Sequence, residues 1–405
     1  MTSSPVDSLR FSVLEASRQS RPLRAKRTAR SLFAPSIQYN RDRRELPAKL
    51  WQHFHNDASV TDSSNKPPRR PRYTGKNPRR FEEKYKELQP EKYTADVAKV
   101  LASGKTPAGT HRPIMVPEIL DVLRPRPGET AVDCTLGYGG HSRELLQAVQ
   151  PGGRLIALDT DPLELPKTEE RLRALGVPAE SLVIVRTNFA GLSRTLAEHA
   201  PEGADVVLAD LGLSSMQIDD PARGFSYKQD GPLDMRMNPA RGLSAAQWLS
   251  KISIREFAIV LAENADEPQA ALLARTIVQA HAEYPLTTTL DLAELVRRTI
   301  TRTSTEATSG TIQRVFQAIR IAVNEEFEVL DALLRQLPPC LKPGGRVAIL
   351  TFHSGEDRRV KHAFKQGLAS GEYAKIADDV TRASYDEQHA NPRSAPAKLR
   401  WAVKR

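Results

Sequence analysis

From Thr130 onward the chain sets short, unbroken apolar runs against longer stretches whose apolar residues recur every three or four positions. The short runs are Thr130–Cys134, Arg154–Leu158, Ser181–Val185, Asp205–Ala209 and Arg346–Phe352, the last entered through Lys342-Pro-Gly-Gly345. They do not alternate apolar with polar residues, which is the mark of strands buried on both faces. Helical patterns lie between most of them, and strands alternating with helices predict a parallel, doubly wound α/β sheet. Val116–Leu123 predicts a short amphipathic helix stopped by Pro125 and Pro127. Between the fourth and fifth strands the rhythm breaks, because residues 211–340 are far too long for one crossover. They carry helix-like stretches at Ala245–Leu249, Ile254–Glu263, Pro268–Ala282, Leu290–Arg298 and Ile312–Leu337. The expected organisation is a sheet domain over 111–210 and 341–405, with a helical subdomain and its return helix, 211–340, inserted into it.

The first 110 residues have a different texture. Residues 1–80 carry Arg, Ser and Pro clusters without a sustained period and read as a disordered tail, and 81–110 reads as a short helical linker. Residues 1–80 hold 18 Lys and Arg against 6 Asp and Glu, while the other 325 residues hold 41 against 43. The net charge of +10 therefore belongs to the tail. A basic tail on a near-neutral body suits a polyanion such as RNA, and equally suits a solvated segment that maintains solubility. No apolar run of spanning length occurs, so no membrane segment is expected. Cys134 and Cys340 form no CxxC and no metal-ligand cluster, which points to free thiols in a reducing compartment and to no bound metal. A cytoplasmic location is expected. The acid-poor residues 1–40 leave an organellar transit peptide as the alternative.

The strongest local signal is Ala131-Val-Asp-Cys-Thr-Leu-Gly-Tyr-Gly-Gly-His-Ser142. A buried strand runs into Gly137, Gly139 and Gly140, and a helix follows. Glycines there allow a tight turn and let a ligand approach the backbone; the helix start beyond offers free N–H groups. Asp159 ends the next strand, 20 residues after Gly139, where a carboxylate can accept hydrogen bonds from both hydroxyls of a ribose. Asp210 ends strand four. A dinucleotide site wants G-x-G-x-x-G, but Ser142 holds the third glycine's place. S-adenosylmethionine has no pyrophosphate to cradle, so the G-x-G-G-H loop fits it better than NAD.

At this point the residues resemble one family, the RsmH/MraW 16S rRNA (cytosine-N4) methyltransferases. The matching stretches run in order: His111-Arg-Pro-Ile-Met-Val-Pro-Glu-Ile-Leu120, Asp133–Ser142, Ala209-Asp-Leu-Gly-Leu-Ser-Ser-Met-Gln-Ile-Asp-Asp220, Arg223-Gly-Phe-Ser-Tyr227, Asp230-Gly-Pro-Leu-Asp-Met-Arg-Met237, Phe316-Gln-Ala-Ile-Arg-Ile-Ala-Val-Asn324, Lys342–Arg346, Phe352-His-Ser-Gly-Glu-Asp357 and Asn391-Pro-Arg-Ser394 with Lys398-Leu-Arg400. The resemblance implies a class I (Rossmann-like) methyltransferase sheet with a helical insert. It also implies S-adenosyl-L-methionine held by Gly139, Gly140, His141, Asp159, Phe189, Asp210 and Gln217, of which Phe189, His141 and Gln217 come from the resemblance alone. Three departures stand out: Gly355 where the family usually has Leu, Ser-Gly-Thr-Ile-Gln-Arg over 309–314, and Arg393-Ser-Ala-Pro-Ala-Lys398. The first 110 residues have no counterpart in the family core.

The implied reaction is displacement of a methyl group from a sulfonium by the exocyclic nitrogen of a cytosine. That amine is a poor nucleophile, and an acceptor on it would favour attack. The Asp/Asn-Pro-Pro-aromatic string of many amino-directed methyltransferases is replaced by Asp210-Leu-Gly-Leu-Ser-Ser215. Ser214, Ser215 and Asp234 are the candidate acceptors, although the serines equally suit a turn cap and Asp234 an ion pair with Arg236. Arg223, Arg236 and Arg320 are candidate substrate contacts, each equally suited to an ion pair. The expected partner is small-subunit rRNA or the small ribosomal subunit. Oligomeric state stays open, a homodimer included. Two other readings stand beside this one: a methyltransferase of DNA or protein, which the absent Pro-Pro string disfavours for DNA, and a non-catalytic RNA-binding assembly factor, which has no need of a cofactor pocket.

Overall fold

The computed structural model describes residues 113–301 and 304–405; the basic tail and the 81–110 linker expected from the sequence lie outside them. Seven strands form one sheet in the order β3-β2-β1-β4-β5-β7-β6. They are β1 (Thr130–Asp133), β2 (Arg154–Asp159), β3 (Leu182–Arg186), β4 (Ala204–Asp210), β5 (Leu341–Thr351), β6 (Tyr373–Ile376) and β7 (Lys398–Lys404). The first five are parallel to one another, and β7 runs antiparallel to both β5 and β6. A dinucleotide-binding sheet has the order 3-2-1-4-5-6. The reversed strand wedged between β5 and β6 instead gives the expected class I methyltransferase arrangement.

The unbroken apolar runs are explained by what covers the two faces. Val132, Ile156, Leu158, Val207, Ala209, Val347 and Ile349 share one core, and Ala131, Leu155, Ala157, Val206, Leu208, Ala348 and Leu350 share the other. Successive side chains of a strand point to opposite faces, so both sets have to be apolar. Helices α1 (Val116–Leu123), α2 (Gly140–Ala148) and α3 (Leu165–Arg173) cover the second face; α4 (Leu192–His199) covers the first, with two later helices. Each fully buried leucine or isoleucine contributes on the order of 1.5–3 kcal/mol.

After β4 comes a short helix, α5 (Ser215–Asp219), and then the insert helices α6 (Ala245–Leu249), α7 (Ile254–Ala265), α8 (Ala270–Glu283), α9 (Thr289–Thr299) and α10 (Thr305–Asn324). They enclose a core of their own, built around Phe257, Leu273, Ile277, Val296, Val315, Phe316 and Ile319. The stretch 312–337, expected as one helix, is two. Glu325 takes a left-handed φ of 52° and separates α10 from α11 (Glu326–Cys340). The break lets each half serve a different core: Ile312 to Ile319 point into the insert, while Leu330, Leu333 and Leu337 of α11 pack on the sheet.

Helix α12 (Ser354–Ala369) follows β5 and packs on the same face, and α13 (Tyr385–Ala390) precedes β7. Strands β6 and β7 were not foreseen. They are antiparallel, β6 at the sheet edge and β7 between it and β5, and the pattern Lys398-Leu-Arg-Trp-Ala-Val-Lys404 mixes charge with apolar residues.

Gly355 sits where there is no room for a side chain. A Cβ on Gly355 would lie 2.5 Å from Cζ of Phe327, whose ring carries the Arg359 guanidinium 3.8 Å from its centroid. The large residue on α11 fills the space that the small one on α12 leaves. Gly355→Leu is expected to cost about 1–3 kcal/mol through overpacking, and the added change Phe327→Leu to recover most of it; urea unfolding of the two variants checks this.

Candidate active site

The carboxyl ends of β1, β2, β4 and β5 open onto a single cleft of about 940 Å³, at the upper end of the range for ligand sites. Its construction starts at Asp133, which is 1% exposed. Oδ1 of Asp133 accepts hydrogen bonds from the Thr135 N–H (2.9 Å) and hydroxyl (3.2 Å), and Oδ2 accepts one from the Ser142 hydroxyl (2.6 Å). Thr135 Oγ1 in turn accepts from the Asp210 N–H at 2.7 Å. One buried carboxylate therefore ties the glycine loop, the first turn of α2 and the end of β4 together.

The glycine loop packs tightly against the rest of the protein. Gly139 has φ 77° and caps α2, and a Cβ on Gly140 would lie 2.5 Å from Pro113 Cγ. Asp159 accepts from the Gly137 N–H at 2.7 Å and the Asp161 N–H at 2.8 Å. Burial pushes its carboxyl above the ordinary aspartate range, against those backbone donors. Phe189 lines the same end of the cleft. A cradle of glycine backbone, a carboxylate able to take two hydroxyl donors, and an aromatic ring fit a cofactor with a ribose and a flat base.

The opposite end is a polar chamber. His353, just past β5, and Glu356, at the start of α12, line it together with Asp210, Arg320 and Glu326. Arg320 grips both oxygens of Glu326, at 2.8 and 2.8 Å. Glu356 accepts from the Phe352 N–H at 2.7 Å, and its Oε1 lies 3.1 Å from His353 Nε2. Burial alone pushes the Glu356 carboxyl up, but His353, Arg320 and the Phe352 N–H outweigh it and hold the group below the ordinary glutamate range. Glu326, His353 and Glu356 bring three metal-capable atoms within 4.8 Å of one another. Arg320 engages both Glu326 oxygens and the Phe352 N–H engages Glu356 Oε2, while Glu356 Oε1 faces only His353.

With this geometry in hand, the comparisons decide the family. The model of the MraW methylase family matches residues 108–405. The chain belongs to the MraW methylase family. Among its relatives, the ribosomal RNA small subunit methyltransferase H 1 of Lachnoclostridium phytofermentans is 49% identical over 341 residues, covering 83% of this chain and 93% of its own length. The ribosomal RNA small subunit methyltransferase H 2 of Alkaliphilus metalliredigens is 48% identical over 350 residues, covering 85% of this chain and 100% of its own length. Matches of this extent reach upstream of residue 108, where the family model begins. These two relatives therefore share part of the segment that has no counterpart in the family core.

Within this family site, Gly140, His141, Asp159, Phe189, Asp210, Gln217, Ser214, Ser215, Arg236 and Arg320 all line the cleft, whereas Gly139, Asp234 and Arg223 do not. Gly139 faces away from it, against Thr168. Ser214 is the N-cap of α5: its hydroxyl accepts from the Gln217 N–H, and the Gln217 side chain accepts from the Ser214 N–H. The other end of the Gln217 amide donates to Asp161 Oδ2 at 2.9 Å. Asp234 forms a close pair with Arg236 at 2.6 Å. Burial raises the Asp234 carboxyl, but Arg236 lowers it further. Arg223 bonds Asp161 Oδ2 at 2.9 Å and the carbonyls of Arg236 and Met237 at 3.1 and 2.7 Å.

Sequence reasoning assigned no role to Asp133, Asp161, His353 and Glu356. Asp161 had a signal in Asp159-Thr-Asp161, and His353 and Glu356 in Phe352-His-Ser-Gly-Glu-Asp357. Asp161 meets partners 56 and 62 positions away, Gln217 and Arg223.

Arg223 and Asp161 form a nearly buried pair, with side chains 10% and 3% exposed. Arg223→Met leaves the Asp161 carboxylate without its cation and is expected to cost about 3–5 kcal/mol. The salt slope of RNA binding should not fall by the roughly one unit that loss of a phosphate contact gives. Urea unfolding and filter binding at several salt concentrations check the two halves.

Proposed function

We propose that the protein transfers a methyl group from S-adenosyl-L-methionine to the N4 amine of a cytosine in small-subunit rRNA. The observation that carries this reading is the two-ended cleft at the carboxyl edge of a class I sheet. One end suits a nucleoside, and a buried polar chamber begins where β4 stops. The names of the relatives, ribosomal RNA small subunit methyltransferases, supply the substrate class.

S-adenosyl-L-methionine, when bound, supplies a methyl group on a positively charged sulfur. The protein's residues supply alignment. Asp159 is placed to accept from ribose hydroxyls and Phe189 to lie beside a base. The N-terminus of α2 and the carboxylates around it favour the cofactor's mixed charges. The substrate base has to leave any stack to enter a cleft whose chamber residues are largely buried, which favours single-stranded or loosened RNA. Arg320 is held in a bidentate carboxylate pair, so it acts as a fixed donor with its charge offset. Arg241 lines the same cleft and is exposed, which suits it better to a phosphate.

Small ribosomal subunits from cells lacking the activity, incubated with the protein and radiolabelled S-adenosylmethionine, should gain N4-methylcytidine at one site, read by nucleoside mass spectrometry. Asp159→Ala should lose that product and bind S-adenosylhomocysteine about 10–150-fold more weakly, the equivalent of about 1.5–3 kcal/mol for hydrogen bonds to a charged group; calorimetry reads the affinity. Cofactor binding without any RNA product would move the search to another substrate. Absence of cofactor binding would leave an assembly factor as the better reading. The +12 charge of residues 1–80 supports an RNA arm: its deletion should weaken binding to the subunit and flatten the dependence on salt, and an unchanged slope would remove the tail from the interface.

A further inference from the structure

The polar chamber holds hydrogen-bonding groups that the fold leaves unused. Glu356, at the head of α12, is 3% exposed and lines the cleft. Its Oε2 accepts from the Phe352 N–H at 2.7 Å and from the His353 N–H at 3.3 Å. Among the described residues its Oε1 meets only His353 Nε2, 3.1 Å away and off the line of a hydrogen bond. Both ring nitrogens of His353 are buried without a hydrogen-bond partner. The imidazole is wedged in place: the Phe327 ring lies against it with centroids 5.7 Å apart, and a Cβ on Gly355 would come within 3.2 Å of its Nδ1. Arg320 commits Nε and Nη2 to Glu326, and its Nη1 makes no hydrogen bond among the described residues. Buried polar groups are nearly always satisfied, so unused positions gathered in one chamber mark the place of a ligand.

Two kinds of ligand compete for it. Glu326, His353 and Glu356 have metal-capable atoms within 4.8 Å of one another, but a cation there would lie against the guanidinium that already grips Glu326. The unused set is mixed instead: one carboxylate oxygen that accepts, and an imidazole and a guanidinium nitrogen that donate. A neutral edge that donates once and accepts twice complements it. Cytosine has that edge, with its N4 amine, N3 and O2 in a row.

We propose that the chamber reads this edge and selects cytosine, Glu356 Oε1 accepting from the N4 amine, His353 donating to N3 and Arg320 Nη1 donating to O2. This deepens the substrate reading above and rests on it. Uracil would set its O4, an acceptor, against the carboxylate, and its N3–H where cytosine has a lone pair. Adenine offers an amine and a neighbouring acceptor, but nothing in place of O2. The carboxylate is kept as an acceptor: burial alone pushes the Glu356 carboxyl up, but His353, Arg320 and the Phe352 N–H hold it below the ordinary glutamate range. It also stands near the cofactor end. Burial pushes the Asp210 carboxyl at the end of β4 up to about 6, and the charge of Glu356 adds to that. No bond is made or broken in these contacts; they turn the amine toward the methyl group and hold it there.

Glu356→Gln tests the acceptor directly. The Phe352 N–H pins the amide oxygen in place of Oε2, which turns the new NH2 group into the position of Oε1 and makes it a donor. Small subunits lacking the modification are prepared with the natural cytidine or with uridine at the methylated position, and filter binding is measured with S-adenosylhomocysteine present. Wild type should prefer the cytidine subunits by about 5–150-fold, the cost of one buried polar group left unpaired. Glu356→Gln should lose or reverse that preference and methylate at least about 100-fold more slowly in single turnover, while holding S-adenosylhomocysteine within about threefold of wild type. His353→Phe keeps a ring against Phe327 and removes both nitrogens; it should narrow the preference as well, and it serves if Glu356→Gln fails to fold. Equal binding of the two subunits by wild type, or a preference unchanged in either variant, overturns the proposal. So does Zn²⁺ binding that Glu356→Gln abolishes, which would make the chamber a metal site. A wild-type protein that methylates no cytidine strikes the substrate reading, whereas methylation without discrimination between the two subunits strikes the chamber alone.

Discussion

A carboxylate buried at the end of a parallel strand has to be met by hydrogen-bond donors, and much of this site follows from how Asp133 is met. Three donors reach it, two from Thr135 and one from Ser142. The first pair fixes the turn out of β1, and the third fixes the start of α2. Because Thr135 also accepts from the Asp210 N–H, the end of β4 is tied to the same turn. An unmet carboxylate there would cost several kcal/mol, so the loop conformation is dictated by satisfying it. Gly139 and Gly140 then provide the left-handed residue and the close approach to Pro113 that this conformation demands.

A similar logic joins the insert to the sheet domain. Asp161 is 2% exposed and takes both Gln217, from the helix after β4, and Arg223, whose guanidinium also holds two carbonyls further along. The first stretch of the insert is thus fastened to the loop that carries Asp159. Residues that a list of motifs presents as separate binding elements act as parts of one brace. This explains why Gln217 and Arg223 occur in long matched strings although their polar groups are engaged within the protein.

Cations near the cleft divide in the same way. Arg223, Arg236 and Arg320 each meet a carboxylate, which offsets their charge and fixes their direction. Such groups can present a hydrogen bond to a neutral base with little loss of side-chain freedom, but they offer little net attraction to a phosphate. The largest excess of positive charge in the chain lies in its first 80 residues.

The sequence by itself determined the parallel strands, the presence of a long helical insert and most of the residues that line the glycine-loop end of the cleft. These depend on local patterns: unbroken apolar runs for strands covered on both sides, glycines at a turn, and a carboxylate where a strand stops. It also placed Asp210 at the end of β4. It did not reveal β6 and β7, whose short antiparallel segments mix charged and apolar residues, nor the break at Glu325, where one helical pattern is divided between two cores. Only the tertiary structure decided which carboxylate meets which donor. Asp161 and Arg223 are 62 positions apart, His141 and Asp210 are 69, and Asp266 and Arg358 are 92. Charge and hydrogen-bonding capacity are written in each residue, but their partners are fixed by the fold, and the partner is what turns an aspartate into a brace or an ion pair.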